Sequence, residues 1–172
     1  RTTHYSIPIS PSPNLPTDAS ISLYPSLCFL EPTNVSIGRG TPTPFELVGF
    51  PNNPSGTYSF TPVATPGASP HPKYENTICS GENLHDLGMK WISSSESWDL
   101  NILVRYADLF RYEDGELVGF FTSKSFFDKL VGTDELRLAL ESNESIESLE
   151  KSWEEDIEKF KSARTPYLLY LR

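Results

Sequence analysis

The chain has 172 residues, 37% hydrophobic and 12% aromatic, enough to bury one sizeable core with at most a small helical annex. A net charge of −9 without a basic stripe argues against a nucleic-acid backbone or an anionic membrane face as partner, and no apolar run nears the roughly 20 residues of a membrane span. Two cysteines, Cys28 and Cys79, are too few for a disulfide scaffold or a four-thiolate zinc site and leave open one bridge or two buried thiols. The start at Arg1, with no Met and no signal-like apolar segment, reads as a boundary left by processing or expression.

In chain order, residues 1–20 are rich in Ser, Thr and Pro, and Pro8, Pro11, Pro13 and Pro16 predict an extended strap. Residues 21–172 read as a single α+β domain. Its front half alternates short apolar stretches with Pro- and Gly-rich turns, predicting strands at 27–30, 45–50, 58–63 and 88–92. The passage between Pro62 and Cys79, with Pro66, Gly67, Pro70 and Pro72, is too structureless for a plain linker and is expected to line a site.

The back half changes period. Trp98, Ile102, Tyr106, Leu109 and Phe110 fall at helical spacing after Ser97 as cap, and Gly115 ends that segment. A short apolar segment at 120–130 leads to Gly132, with Thr133 capping a helix that points Leu136, Ala139 and Leu140 inward. Ser145 caps a third helix whose stripe is Ile146, Leu149, Trp153, Ile157 and Phe160, opposite a charged, solvated face. Pro166 stops it, and residues 167–171 are expected to return as a strand. The fold class is therefore α+β, a mixed sheet with long Pro/Gly-rich loops packed by about three helices.

The densest polar cluster follows residue 30. Glu31, Asn34, Ser36, Arg39 and Thr41 come where the chain turns at Pro32, Gly38 and Gly40. An arginine between two glycines can present its guanidinium fork beside exposed backbone N–H groups, an arrangement suited to a carboxylate or phosphate. The alternative is a tight loop in which Arg39 pairs internally with Glu31 or Glu46. Glu31 is the candidate carboxyl group inside this segment, as a general acid or as the group that orients Arg39. Asn34, Ser36 and Thr41 are candidates for hydrogen bonds to a ligand or for turns that hold the loop. Lys73 is a further ligand-side candidate, or an exposed ion. His71, His85, Asp86 and Cys79 show no spacing typical of a metal site, so neither a metal nor another cofactor is expected.

Read together, Ser12-Pro13-Asn14-Leu15-Pro16-Thr17, Tyr24-Pro25, the run from Glu31-Pro32-Thr33-Asn34 to Gly38-Arg39-Gly40-Thr41, and Pro44-Phe45 resemble the signature of the bacterial exo-acting β-N-acetylmuramidases, a family long catalogued only as a domain of unknown function. Phe60-Thr61-Pro62, Pro66-Gly67-Ala68-Ser69, Pro72-Lys73-Tyr74, Cys79, the run from Leu130 to Arg137, Trp153 and Tyr167-Leu168-Leu169-Tyr170 agree in order, so the resemblance covers nearly the whole chain. Pro32 departs from it, since the family more often has Gly there, and a proline removes any contact through that amide.

The resemblance implies a glycoside hydrolase that removes N-acetylmuramic acid from the non-reducing end of peptidoglycan fragments in cell-wall turnover, in the periplasm or outside the cell. It further implies a larger N-terminal Rossmann-like domain that supplies a catalytic carboxylate and is the partner across the active-site cleft. This chain matches only the part that follows. Arg39, with Gly40 beside it, is then expected to meet the lactyl carboxylate of muramic acid. Glu31 is the candidate catalytic group, and Asn34, Ser36, Thr41 and Lys73 are the further substrate contacts. The other reading is a carbohydrate-binding or scaffold module without chemistry.

Overall fold

The computed structural model describes residues 5–94 and 98–169. Residues 5–16 hold no helix or strand; a bridge pairs Ser12 with Leu15, and the Asn14 side-chain amide donates to the Ala68 carbonyl at 2.8 Å. The strap ends earlier than expected, because Thr17 starts a helix, α1 (Asp18–Leu27). The Thr17 hydroxyl accepts from the Ser20 amide at 3.0 Å, and the Ser20 hydroxyl accepts from the Thr17 amide at 3.1 Å. This is a reciprocal capping box with Ser in place of the usual Glu or Gln. Ala19, Ser20, Leu23, Ser26 and Leu27 form the buried face at helical spacing, and Pro25 is tolerated inside the last turn. Residues 27–30, expected as a strand, thus close α1 and continue as a 3-10 turn, Cys28–Leu30.

The α+β class holds. The sheet has strands β1 (Leu47–Phe50), β2 (Tyr58–Phe60) and β3 (Cys79–Asn83) in the order β1-β3-β2. Both pairings are antiparallel, with Gly49 opposite Gly81 and Phe60 opposite Cys79, so the sheet is antiparallel rather than mixed. Residues 88–92, expected as a strand, belong to helix α2 (His85–Ser93). Gly88 explains the packing: a Cβ there would stand 2.9 Å from both the Ala19 carbonyl oxygen and Leu23 Cδ1. Only glycine lets α2 lie this close to α1.

Four helices rather than three follow among the described residues: α3 (Asn101–Asp108), α4 (Lys124–Val131), α5 (Glu135–Ser142) and α6 (Ile146–Arg164). Trp98 precedes α3 instead of opening it, and Ser97 lies outside the described residues. Ser123 caps α4 and Ser145 caps α6 through their hydroxyls, and Gly132 ends α4 in the left-handed conformation. α6 buries Ile146 and Leu149, half-buries Trp153, and then leaves the body, so that Phe160 is 64% exposed. Pro166 sits in a 3-10 turn, Thr165–Tyr167; Leu168 and Leu169 form no strand, and Tyr170 and Leu171 lie outside the described residues. No helix among the described residues is long and apolar enough to cross a membrane.

One buried cluster joins the two halves, with Leu23, Leu27, Leu30, Val35, Phe45 and Val48 from the front and Leu103, Tyr106, Phe120, Phe127 and Leu136 from the back. The buried Tyr106 hydroxyl donates to the Val48 carbonyl at 2.8 Å, which satisfies both groups. The loop after residue 30 is tied to the same back half: the Asn34 amide donates to the Phe120 carbonyl at 2.6 Å, and Thr33 bridges to Phe121. A loop fixed on both sides can hold side chains in place.

Candidate active site

The polar loop after residue 30 and the Pro-rich passage between Pro62 and Cys79 meet. Gly40, at φ +81°, takes a conformation that L side chains rarely adopt, and a Cβ on it would stand 2.7 Å from Pro72 Cγ and from the Val63 carbonyl oxygen. The Val63 amide donates to the Gly40 carbonyl at 2.8 Å, which locks the second loop over the first. Between them lies a cleft of about 310 Å³ lined by Glu31, Val35, Ser36, Ile37, Arg39, Ser69, His71, Pro72 and Lys73.

Arg39 is held on two sides. Its Nη2 donates to Glu31 Oε2 at 3.2 Å, and its guanidinium carbon lies 5.0 Å from the centre of the Phe45 ring. Tyr24 packs against this platform, its ring centre 5.1 Å from that of Phe45. Phe45 is fully buried yet has φ +61°, an uncommon conformation for a bulky residue and one that costs on the order of 1–3 kcal/mol. The strain places an aromatic face under the guanidinium. With 34% of its side chain exposed, Arg39 remains open to the cleft. Its internal partner is Glu31 and not Glu46.

Lys73 enters from the second loop. Its ammonium donates to the backbone carbonyls of Glu31 (3.3 Å), Val35 (2.9 Å) and Thr33. Burial pushes its pKa down to about 8, an effect that the Glu31 carboxylate partly opposes. The neighbouring Tyr74 hydroxyl donates to the Asn34 carbonyl at 2.8 Å.

Glu31, Ser36, Arg39 and Lys73 therefore line one cleft. Ser36 is almost fully buried there, and its hydroxyl accepts from the Gly38 amide at 3.3 Å. Asn34, Gly40 and Thr41 do not line the cleft. The Asn34 side chain donates to the Gly119 carbonyl at 2.7 Å, and the Thr41 hydroxyl donates to the Gly38 carbonyl at 2.7 Å while accepting from the Thr43 amide at 3.3 Å. Ser69 and His71 are cleft residues that the sequence did not single out as ligand contacts. Both belong to the Pro-rich passage expected to line a site, and Ser69 also stands in the Pro66-Gly67-Ala68-Ser69 motif.

Elsewhere, Glu46 is 1% exposed and is bound by the Thr17 hydroxyl and by His85 Nδ1 at 2.6 Å. His85 is thus engaged with a buried carboxylate, and no group of three or more His, Cys, Asp or Glu side chains gathers to hold a metal among the described residues. Cys28 and Cys79 are both free thiols, Cys79 fully buried.

The chain is an antiparallel α+β unit carrying an arginine–carboxylate cleft. Residues 22–170 match the family model described as "Exo-beta-N-acetylmuramidase NamZ, C-terminal", and the chain belongs to that family. It is 32% identical, over 94% of its own length, to peptidoglycan beta-N-acetylmuramidase NamZ of Bacillus subtilis, of which it covers 40%. It also resembles the crystal structure of a DUF1343 family protein from Bacteroides fragilis, with 42% identity and a TM-score of 0.83, covering 98% of this chain and 45% of that one. The chain thus spans less than half the length of either relative.

Proposed function

We propose that this chain is the C-terminal, substrate-contacting part of a glycoside hydrolase that releases N-acetylmuramic acid from the non-reducing end of peptidoglycan fragments. Family membership and the name of the Bacillus relative support the reaction class. The observation that carries the role of this part is the Arg39 guanidinium, fixed by Glu31 and Phe45 and open to the cleft. Muramic acid differs from glucosamine by a lactyl ether bearing a carboxylate, and a pre-organised guanidinium is the group that recognises such an anion.

Glycoside hydrolysis ordinarily takes two carboxyl groups on either side of the scissile bond. Among the residues lining the cleft, Glu31 is the single carboxylic acid, and one of its oxygens is engaged by Arg39. This supports an orienting role for Glu31 and a site completed by carboxylates from the N-terminal part of a longer protein. That part is the partner across the cleft, and muramyl saccharides in the periplasm or outside the cell are the substrates. The same observation favours a second reading, a saccharide-binding module without chemistry.

The test is release of N-acetylmuramic acid from a muramyl-glucosamine disaccharide by this chain and by the full-length protein. Activity confined to the longer protein and lost with Arg39→Ala supports the proposal. Binding without release in either protein supports the module, and neither binding nor release overturns both.

A further inference from the structure

We propose that Lys73 is a positioning residue, an internal cation that ties together the backbone carbonyls of the Glu31 loop and so sets Glu31 and Arg39 for the ligand, rather than a group that touches the ligand itself. Its ammonium has three protons, and three carbonyl oxygens receive them, those of the alternate residues Glu31, Thr33 and Val35. The carbonyls between them are also taken. Asn34 accepts from the Tyr74 hydroxyl, and Pro32 accepts from the Thr122 amide at 2.9 Å and the Ser123 amide at 3.3 Å. Every carbonyl from residue 31 to residue 35 therefore has a donor, and Lys73 with Tyr74 supplies four of the five.

Such a segment has no helix or sheet ladder of its own, and buried carbonyls left without donors are costly. Lys73 does for this loop what a ladder does for a strand. The lysine stem crosses from the second loop to the first, so the clamp also holds the cleft walls at their spacing. An ammonium saturated by carbonyls has no proton left for a substrate oxygen, which separates Lys73 from Arg39, whose guanidinium is open to the cleft.

The functional consequence rests on reading the cleft as a saccharide site, whereas the clamp itself is tested without any ligand. In the wild-type protein, a proton–nitrogen spectrum of the lysine ammonium groups is expected to show a slowly exchanging Lys73 signal, absent for exposed lysines such as Lys124. In Lys73→Met, which keeps the stem, the amides of residues 33–36 are expected to lose at least tenfold in hydrogen-exchange protection. Affinity for a muramyl saccharide is expected to fall about tenfold or more in Lys73→Met, whereas adding Lys73→Met to Arg39→Ala is expected to cost little further affinity. A Lys73 ammonium exchanging as fast as that of Lys124, or a folded Lys73→Met with unchanged protection, overturns the clamp. A tenfold or greater loss that persists in the Arg39→Ala background makes Lys73 a direct contact and also overturns it. A wild-type protein with a protected Lys73 signal that binds no muramyl saccharide refutes the proposed function and leaves the clamp standing.

Discussion

Arg39 Nη2 lies 3.2 Å from Glu31 Oε2, a contact between residues eight positions apart that closes the loop onto itself across the cleft wall. Phe45 supports the same guanidinium from below, so the cation is oriented before any ligand arrives. Pre-organisation of this kind reduces the ordering cost of binding.

The first prediction concerns that fork. Arg39→Ala is expected to lower affinity for a muramyl saccharide at least a hundredfold, since a charge-assisted, two-pronged contact is worth about 3 kcal/mol. Arg39→Lys is expected to recover little of it, because a point charge matches neither the carboxylate geometry nor the aromatic face. Titration calorimetry of the full-length variants, with thermal unfolding as a control for folding, checks both.

Glu46 is expected to matter for stability and not for binding. It is buried, with the Thr17 hydroxyl at the start of α1 and His85 at the start of α2 as partners. Glu46→Ala leaves the Thr17 hydroxyl and the His85 ring without their partner and is expected to cost about 3 kcal/mol. His85→Ala, removing a half-exposed partner, is expected to cost about 1 kcal/mol. Urea unfolding measures each, and a Glu46→Ala protein as stable as wild type would show that the α1–β1–α2 junction does not depend on this carboxylate.

Gly40→Ala combines two penalties. A left-handed backbone costs an L-residue about 1–2 kcal/mol, and the new methyl would press on Pro72 and the Val63 carbonyl. The variant is expected to fold with the second loop displaced, lowering both the unfolding temperature and saccharide affinity. Gly67→Ala, also at positive φ but in open space, is expected to change stability alone.

Alkaline pH acts through groups of opposite sign. Burial pushes the thiols of Cys28 and Cys79 up to about 11, so the folded chain holds protons that the unfolded chain releases near 9. Their contribution is fully present below pH 9 and lost as pH rises through about 11. Lys73, pushed down to about 8, works the other way: between pH 8 and its ordinary value of 10.5 the unfolded state binds more protons, and stability from this group rises with pH. Urea midpoints at pH 7.5 and 10.5 are expected to fall less for Cys79→Ala than for wild type and more for Lys73→Met. In the native state Cys79 is expected to resist thiol reagents at pH 8.

The sequence determined a good deal here. The polar run from Glu31 to Thr41, the expectation that residues 62–79 line a site, the period of α5 and the first turns of α6 were all legible, because they rest on local composition and periodicity. α1 and α2 were misread from equally local signals: Pro25 and Gly88 look like breakers until Leu23 and Ala19 are seen packed against Gly88. Only the tertiary structure decided that the two loops share one cleft, that Arg39 pairs with Glu31, and that Glu46 is bound by Thr17 and His85 instead. Those outcomes depend on contacts between residues up to 42 positions apart, such as Lys73 with Glu31, and on backbone carbonyls that every residue carries alike. A sequence displays which side chains are available; which carbonyl each of them meets is set by packing.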